Sequence, residues 1–254
     1  MIDVNALVGP YPFRHVPHPD APILDRVVER DGLEGAWVGH LPSAWHRDPS
    51  LGNAELFKAL DKFPRLKPVP TIRPDWPGWE SALGHAKSNG AVAVRAYPQH
   101  WGLGPHDPSM RELAIAAGER ALPIVLTVRF EDLRQRHALD VASDLSAAAI
   151  RDLARAGQSV RIIVTAAGRE MIEEVHWGLT PAEQGRVLWD ISWIWGPPED
   201  HLAKLIRTVG APRFVYGTQW PMRLTQTPRA NLDLLPDDLV SAKLGDPREL
   251  YGSH

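Results

Sequence analysis

Apolar and polar positions follow two periods along this chain, and the two periods take turns. Short apolar or β-branched runs occupy residues 2–8, 35–41, 66–72, 91–97, 122–129, 160–165, 187–192 and 213–217, as expected of strands buried on both faces. Between them, residues 23–29, 54–62, 79–87, 110–121, 146–155, 168–175 and 199–209 carry apolar residues at three- and four-residue spacing, which predicts amphipathic helices. The strand starts fall roughly thirty residues apart, the length of one strand, helix and crossover. A single (β/α)8 TIM barrel over residues 1–254 is therefore expected, within the α/β class. The competing architecture is an open doubly wound sheet, but no Gly-x-Gly-x-x-Gly or phosphate loop follows any strand. The proline clusters at 9–12, 15–19, 73–77 and 196–198 all follow strands, which puts them on the loops of the barrel's C-terminal face.

Composition narrows the function. The 254 residues include 28 Lys+Arg against 31 Asp+Glu, for a net charge of −3, so no summed positive field recruits nucleic acid. With no cysteine, disulfides, thiolate metal sites and a cysteine nucleophile are excluded. The opening residues read as a strand rather than a leader, and no stretch of about 18 apolar residues could span a membrane. A cytoplasmic location without membrane partners is expected. The chain has 24 Pro, about twice the ~5% common in soluble proteins, and ten Trp, which suggests long shaped loops over a rigid scaffold.

The opening Asp3-Val-Asn-Ala-Leu-Val-Gly-Pro-Tyr-Pro-Phe-Arg resembles the first strand of amidohydrolase-related (amidohydrolase 2 type) TIM-barrel hydrolases of the amidohydrolase superfamily, where Asp-x-His-x-His precedes a Gly-Pro loop. Phe214-Val-Tyr-Gly-Thr-Gln-Trp-Pro is similar to the family's eighth strand, which carries Gly-Ser/Thr-Asp-x-Pro. Leu244-Gly-Asp-Pro-Arg-Glu-Leu-Tyr-Gly resembles its closing helix, and Gly52-Asn-Ala-Glu-Leu and Ala93-Val-Arg-Ala-Tyr-Pro look like internal family segments. The resemblance implies a TIM barrel that uses one or two divalent metals. Carried over position by position, however, the ligands fall on Asn5, Leu7, Thr127 or its vicinity, a position near Ala166, and Gln219. Leu7 and Ala166 have no donor atom, and Asn5 and Gln219 offer neutral amide oxygens where zinc prefers imidazole or carboxylate. No metal and no other cofactor is therefore expected, and the metal-activated hydroxide with them. A metal hydrolase with relocated ligands, drawing on His15, His18 and His100, is the weaker alternative.

Other residues remain as candidates for chemistry. Asp190, a lone acid in an otherwise apolar strand, fits a general base or an ion-pair partner for Arg95 or Arg129. His40, at the end of its strand, is a second proton acceptor. Arg73, Arg95 with Tyr97, and Arg129 follow or end strands three to five; if they face the lumen they bind a carboxylate, or they form internal salt bridges with Glu131, Asp132 and Asp190. Arg95, Arg129 and Asp190 are expected to share one polar network at the centre of the mouth. Trp193, Trp195 and Trp220, with Trp101 and Tyr11, either wall an apolar or aromatic pocket or simply cover the mouth, and Asn5 and Gln219 join Trp193, Trp220 and Tyr11 as candidate substrate-binding residues. The chain thus reads as a hydrolase of a small carboxylated substrate that works without the family's metal centre. The alternative is an inactive barrel that binds a small molecule or partner. A homodimer is left open.

Overall fold

Each apolar run forms a strand shorter than the run, because its ends bend into loops. The computed structural model describes residues 1–251. Its strands are β1 (Ile2–Val8), β2 (Gly35–His40), β3 (Leu66–Pro68), β4 (Val94–Ala96), β5 (Ile124–Thr127), β6 (Ile162–Thr165), β7 (Val187–Asp190) and β8 (Phe214–Val215). The helices are α1 (Ala21–Arg30), α2 (Ser50–Leu60), α3 (Trp79–Ser88), α4 (Pro98–Trp101), α5 (Pro108–Glu119), α6 (Ala147–Arg155), α7 (Arg169–Trp177), α8 (Pro181–Gln184), α9 (His201–Val209) and α10 (Gln226–Asp233). Side-chain caps set several starts: Asp20 accepts from Ile23 N, Asp107 from Ser109 N and Ser146 from Ala149 N, which satisfies amides that a first helical turn leaves free. The stretch expected to close the chain as a helix forms only a 3-10 turn at Pro247–Tyr251, and Gly252 lies outside the described residues. Among the described residues, no helix is long and apolar enough to cross a membrane.

All strand pairs are parallel, in two ladders, β1-β2-β3 and β4 through β8. Backbone hydrogen bonds also cross both seams between the ladders. At one, Arg95 N donates to Pro70 O and Ile72 N to Arg95 O, each at 2.9 Å; Pro68 and Pro70 themselves have no N–H to extend that ladder. At the other, Val4 N reaches Tyr216 O at 3.0 Å and Leu7 N reaches Trp220 O at 2.8 Å, across a register shift of β1 between Asp3 and Ala6. The result is a (β/α)8 barrel.

Alternation along the strands assigns the two faces. Ala36, Val38, Val94, Ala96, Ile124, Leu126, Ile162, Val164, Val187 and Trp189 point outward into the large core shared with the helices. Val4, Trp37, Val69, Ala93, Val125, Ile163, Leu188 and Val215 form a separate buried cluster, one residue from each strand or its immediate extension. This is an apolar layer filling the lumen, as small barrels require.

His40 follows Ala36 and Val38 in parity and so faces α2 rather than the lumen. Its Nδ1 lies 2.8 Å from Ser43 Oγ and its Nε2 3.3 Å from Glu55. Gly52 of α2 packs over this pair: a Cβ added there would stand 2.1 Å from Ser43 Oγ and 2.5 Å from His40 Nδ1. Gly52→Ala is accordingly expected to destabilise the fold by about 1–3 kcal/mol, whereas Gly84→Ala, on the exposed side of α3 with nothing within 4 Å of the new methyl, should stabilise by about 0.5–1 kcal/mol. Thermal unfolding of the two variants checks both signs.

Candidate functional site

Two residues beyond the apolar layer on successive strands stand Gly39, Thr71, Arg95, Thr127, Thr165 and Asp190, a second and polar layer. Its five polar residues, Thr71, Arg95, Thr127, Thr165 and Asp190, are all at most 1% exposed. Arg95 Nη1 donates to Asn5 Oδ1 and to Thr127 Oγ1, both at 3.2 Å. Asn5 Nδ2 in turn donates to Asp190 Oδ2 at 2.7 Å, so the amide of Asn5 separates the cation from the anion. Asp190 also accepts from Ala166 N at 2.9 Å and from Ser192 Oγ on both oxygens. Gly217 gives the carboxylate its room: a Cβ there would come within 2.7 Å of Asp190 Oδ2. Burial raises the Asp190 pKa, opposed by these hydrogen bonds.

Asp3 lies beside this layer. It accepts from Thr218 Oγ1 at 2.6 Å, Thr218 N at 3.1 Å and Asn5 N at 2.9 Å, stitching β1 to the end of β8. Burial pushes its pKa up to about 6 despite those three donors. Ala166, near one position where the resemblance puts a metal ligand, and Gln219, at another, have φ of 58° and 59°. A non-glycine residue in that left-handed region costs roughly 1–3 kcal/mol, so the chain bends sharply, at some cost, at the ends of β6 and β8.

Above the polar layer lies an aromatic cap. Tyr97, Phe130, Trp45, Tyr11 and Phe13 pack in sequence, with ring centroids 5.6 Å apart for Tyr97–Phe130, 4.9 Å for Trp45–Phe130 and 5.4 Å for Tyr11–Trp45. Tyr11 donates its hydroxyl to Glu131 at 3.0 Å. Glu131 is also held by Arg14, and Asp132 by Arg134, so neither neutralises a lumenal arginine. His100 is buried against this cap, its pKa pushed down to about 4 by burial and by the nearby charge of Arg136.

The expected network of Arg95, Arg129 and Asp190 therefore forms only in part: Arg95 reaches Asp190 through Asn5, and Arg129 belongs elsewhere. The long side chain of Arg129, at the rim, swings to Asp144 at 2.8 Å and lies 5.4 Å from the Trp193 ring centroid. Arg73 likewise turns away, pairing with Asp75 at 2.9 Å and lying over Trp101. Trp193 Nε1 donates to Gln219 Oε1, and Gln219 Nε2 donates to Arg129 O at 2.9 Å, which joins the ends of β5, β7 and β8. Trp220 flanks this group with its indole N–H buried and without a partner.

Arg223 was invisible to the sequence reading. It follows Trp220-Pro-Met on an irregular loop with no periodicity to single it out, yet its guanidinium lies 4.6 Å from the centroid of the same Trp193 ring that Arg129 approaches. Arg223 is half-buried, and burial lowers its pKa while the charge of Asp190 opposes the shift. No carboxylate pairs with it among the described residues.

No family model matches the chain, and no curated protein matches it. Solved structures do. A probable 2-pyrone-4,6-dicarboxylic acid hydrolase from Acinetobacter baumannii, with citric acid bound, superposes with a TM-score of 0.61 at 13% identity over 99% of each chain. A 2,6-dihydroxybenzoate decarboxylase from Rhizobium gives 0.69 at 14% identity, again over 99% of each. The 5-carboxyvanillate decarboxylase of Novosphingobium aromaticivorans, complexed with manganese and a nitrobenzoic acid, gives 0.61 at 15% identity over 91% of this chain and 78% of that one. Amidohydrolase-type proteins are among the matches as well. The shared property is the TIM-barrel fold.

Manganese in one neighbour makes the donor set here worth testing. Asn5 Oδ1 and Thr127 Oγ1 already accept from a guanidinium, Leu7 is an apolar neighbour of Gly39 and Arg95, and Gln219 is engaged at both ends of its amide. Among the described residues, no group of three or more His, Asp or Glu is placed to hold an ion. A divalent cation would meet neutral oxygens and a fixed positive charge, so these residues do not fit one.

Proposed function

We propose that this barrel binds a small carboxylated molecule, aromatic or flat, at the rim formed by Trp193, Arg129, Arg223 and Gln219, and that it does so without a metal ion. The observation that supports this reading is the unpaired, half-buried guanidinium of Arg223 against the Trp193 ring. A carboxylate takes such a fork with two charge-assisted hydrogen bonds, and an indole face suits a planar body. The ligands named for the fold's neighbours, citric acid and substituted benzoates, have this chemistry.

The test is calorimetric titration of citrate, 2,6-dihydroxybenzoate and a pyrone dicarboxylate in the presence of chelator. Arg223→Ala is expected to weaken binding at least ~10-fold, and Arg73→Ala, whose partner is Asp75, to leave it unchanged. Equal affinities for wild type and Arg223→Ala would sink the assignment.

Hydrolysis is the second reading, favoured by the raised pKa of Asp190, which suits a proton acceptor or donor. In it, Asp190 rather than the outward-facing His40 handles the proton, and the arginines orient the anion. Carboxylated lactones, esters and amides incubated with chelator should then be turned over, and activity should fall by at least ~10²-fold in Asp190→Asn. Binding without turnover on any of them leaves a binding protein.

A further inference from the structure

We propose that the lumen itself holds a small anion, the size of formate, between Arg95, Tyr97 and Thr71, beneath the aromatic cap and apart from the Trp193 rim. Arg95 is fully buried, yet its well-formed side-chain hydrogen bonds all leave from Nη1; among the described residues Nε and Nη2 make none. Tyr97, also fully buried, has the Arg95 guanidinium beside its hydroxyl but makes no well-formed hydrogen bond there, and Thr71 leaves its Oγ1 without a partner among the described residues.

These groups share one place. Thr71 is the bridge partner of Arg95 across the β3–β4 seam, and directly opposed residues project to the same face. Tyr97 is two residues beyond Arg95 and so shares that face; the guanidinium is close enough to counter the rise that burial gives the Tyr97 pKa. Gly39 packs on Nε, where a Cβ would come within 3.1 Å, so Nη2 is the fork arm left to serve a ligand.

The sign of the ligand follows from the donors. Guanidinium N–H groups can only donate, and leaving a buried charge unpaired costs several kcal/mol. The nearest acid on this network, Asp190, meets Asn5 instead of the guanidinium. A water molecule could accept from Nη2 and donate to the two hydroxyl oxygens, but it would leave the buried positive charge without a counter-charge. An anion brings acceptors alone, and can take Nη2, the phenol and the threonine hydroxyl together.

The experiment is a formate titration of the full chain, followed by thermal unfolding and by the line width of 13C-formate, at constant ionic strength set with sodium isethionate, a bulkier anion than formate. Wild type is expected to show a saturable rise in Tm with matching line broadening. Tyr97→Phe and Thr71→Val, which remove one hydroxyl each and keep the packing shape, should each raise the half-saturating formate concentration about 5–10-fold. Arg95→Lys should abolish saturation; if that variant does not fold, the hydroxyl variants decide alone. Arg223→Ala should leave the formate effect intact even if it abolishes binding of the aromatic acids, which separates this site from the rim. A linear, unsaturable rise, an effect unaltered in both hydroxyl variants, or an effect lost in Arg223→Ala would each overturn the lumenal site.

Discussion

Asp190→Asn is expected to destabilise the fold by about 3 kcal/mol, and adding Asn5→Asp to recover most of the loss. The reason is the direction of the donors. Arg95 can only donate, so Asn5 must turn its oxygen to Arg95 and its nitrogen to residue 190. The oxygen of an asparagine at 190 is claimed by Ala166 N and Ser192, which leaves its nitrogen facing the Asn5 nitrogen. Turning Asn5 round only moves the conflict to Arg95. In the double variant, a carboxylate at position 5 accepts from both Arg95 and the new amide, and the net charge of the layer is restored. Denaturant unfolding of wild type, both single variants and the double variant measures the coupling. If the double variant is no more stable than Asp190→Asn, the chain of hydrogen bonds is not the element holding this layer. The double variant also separates structure from chemistry: stability regained without turnover would mark Asp190 as a catalytic group, whereas turnover regained with stability would give it a positioning role.

The pair Asp3–Thr218 yields the second large effect, one that depends on pH. The ordinary aspartate pKa is 3.8 and that of folded Asp3 about 6, so the folded state holds its proton more tightly than the unfolded state. Between those values the folded chain carries more bound protons, and this group's contribution to stability falls as pH rises, by about 3 kcal/mol in all. Below pH 4 and above pH 6 the contribution is flat. Carboxylates with lowered pKa, such as Asp75 beside Arg73 and Asp132 beside Arg134, push the other way, so the clean observable is a difference. Asp3→Asn keeps a group able to bond Thr218, and its stability relative to wild type should improve by about 3 kcal/mol from pH 4 to pH 7. A difference constant across that range would mean that Asp3 ionises normally.

Strand and helix order was readable from the chain because the two periods alternate without a break, and the barrel followed from that order. Which face a residue takes was harder to read. Residues 35–41 are all buried, so alternation left no polar stripe to show that His40 shares parity with Ala36 and Val38 rather than with Gly39. Asp190 and Arg95 stood out because each is a charge in an apolar run. Their separation by Asn5 did not, since that contact spans 185 residues of sequence to Asp190 and 90 to Arg95. Arg129 and Arg223 show a different limit. Long side chains beyond the ends of strands choose partners on irregular loops, Asp144 for Arg129 and Trp193 for both, and no periodicity announces a loop partner.

The guanidinium of Arg95 also sets the terms for anyone rebuilding this barrel as a metalloenzyme. Placing histidines at positions 5 and 7 and an aspartate at 219 supplies ligands, but the ion would then enter a layer with a resident positive charge. At an effective dielectric near 20, each pair of like unit charges about 4 Å apart costs roughly 4 kcal/mol, and a divalent ion doubles it. The first substitution in such a redesign is therefore at 95, to a neutral side chain of similar volume, with the ligands grafted afterwards. The apolar layer beneath, from Val4 to Val215, needs no alteration and serves as the foundation on which the upper layer can be exchanged.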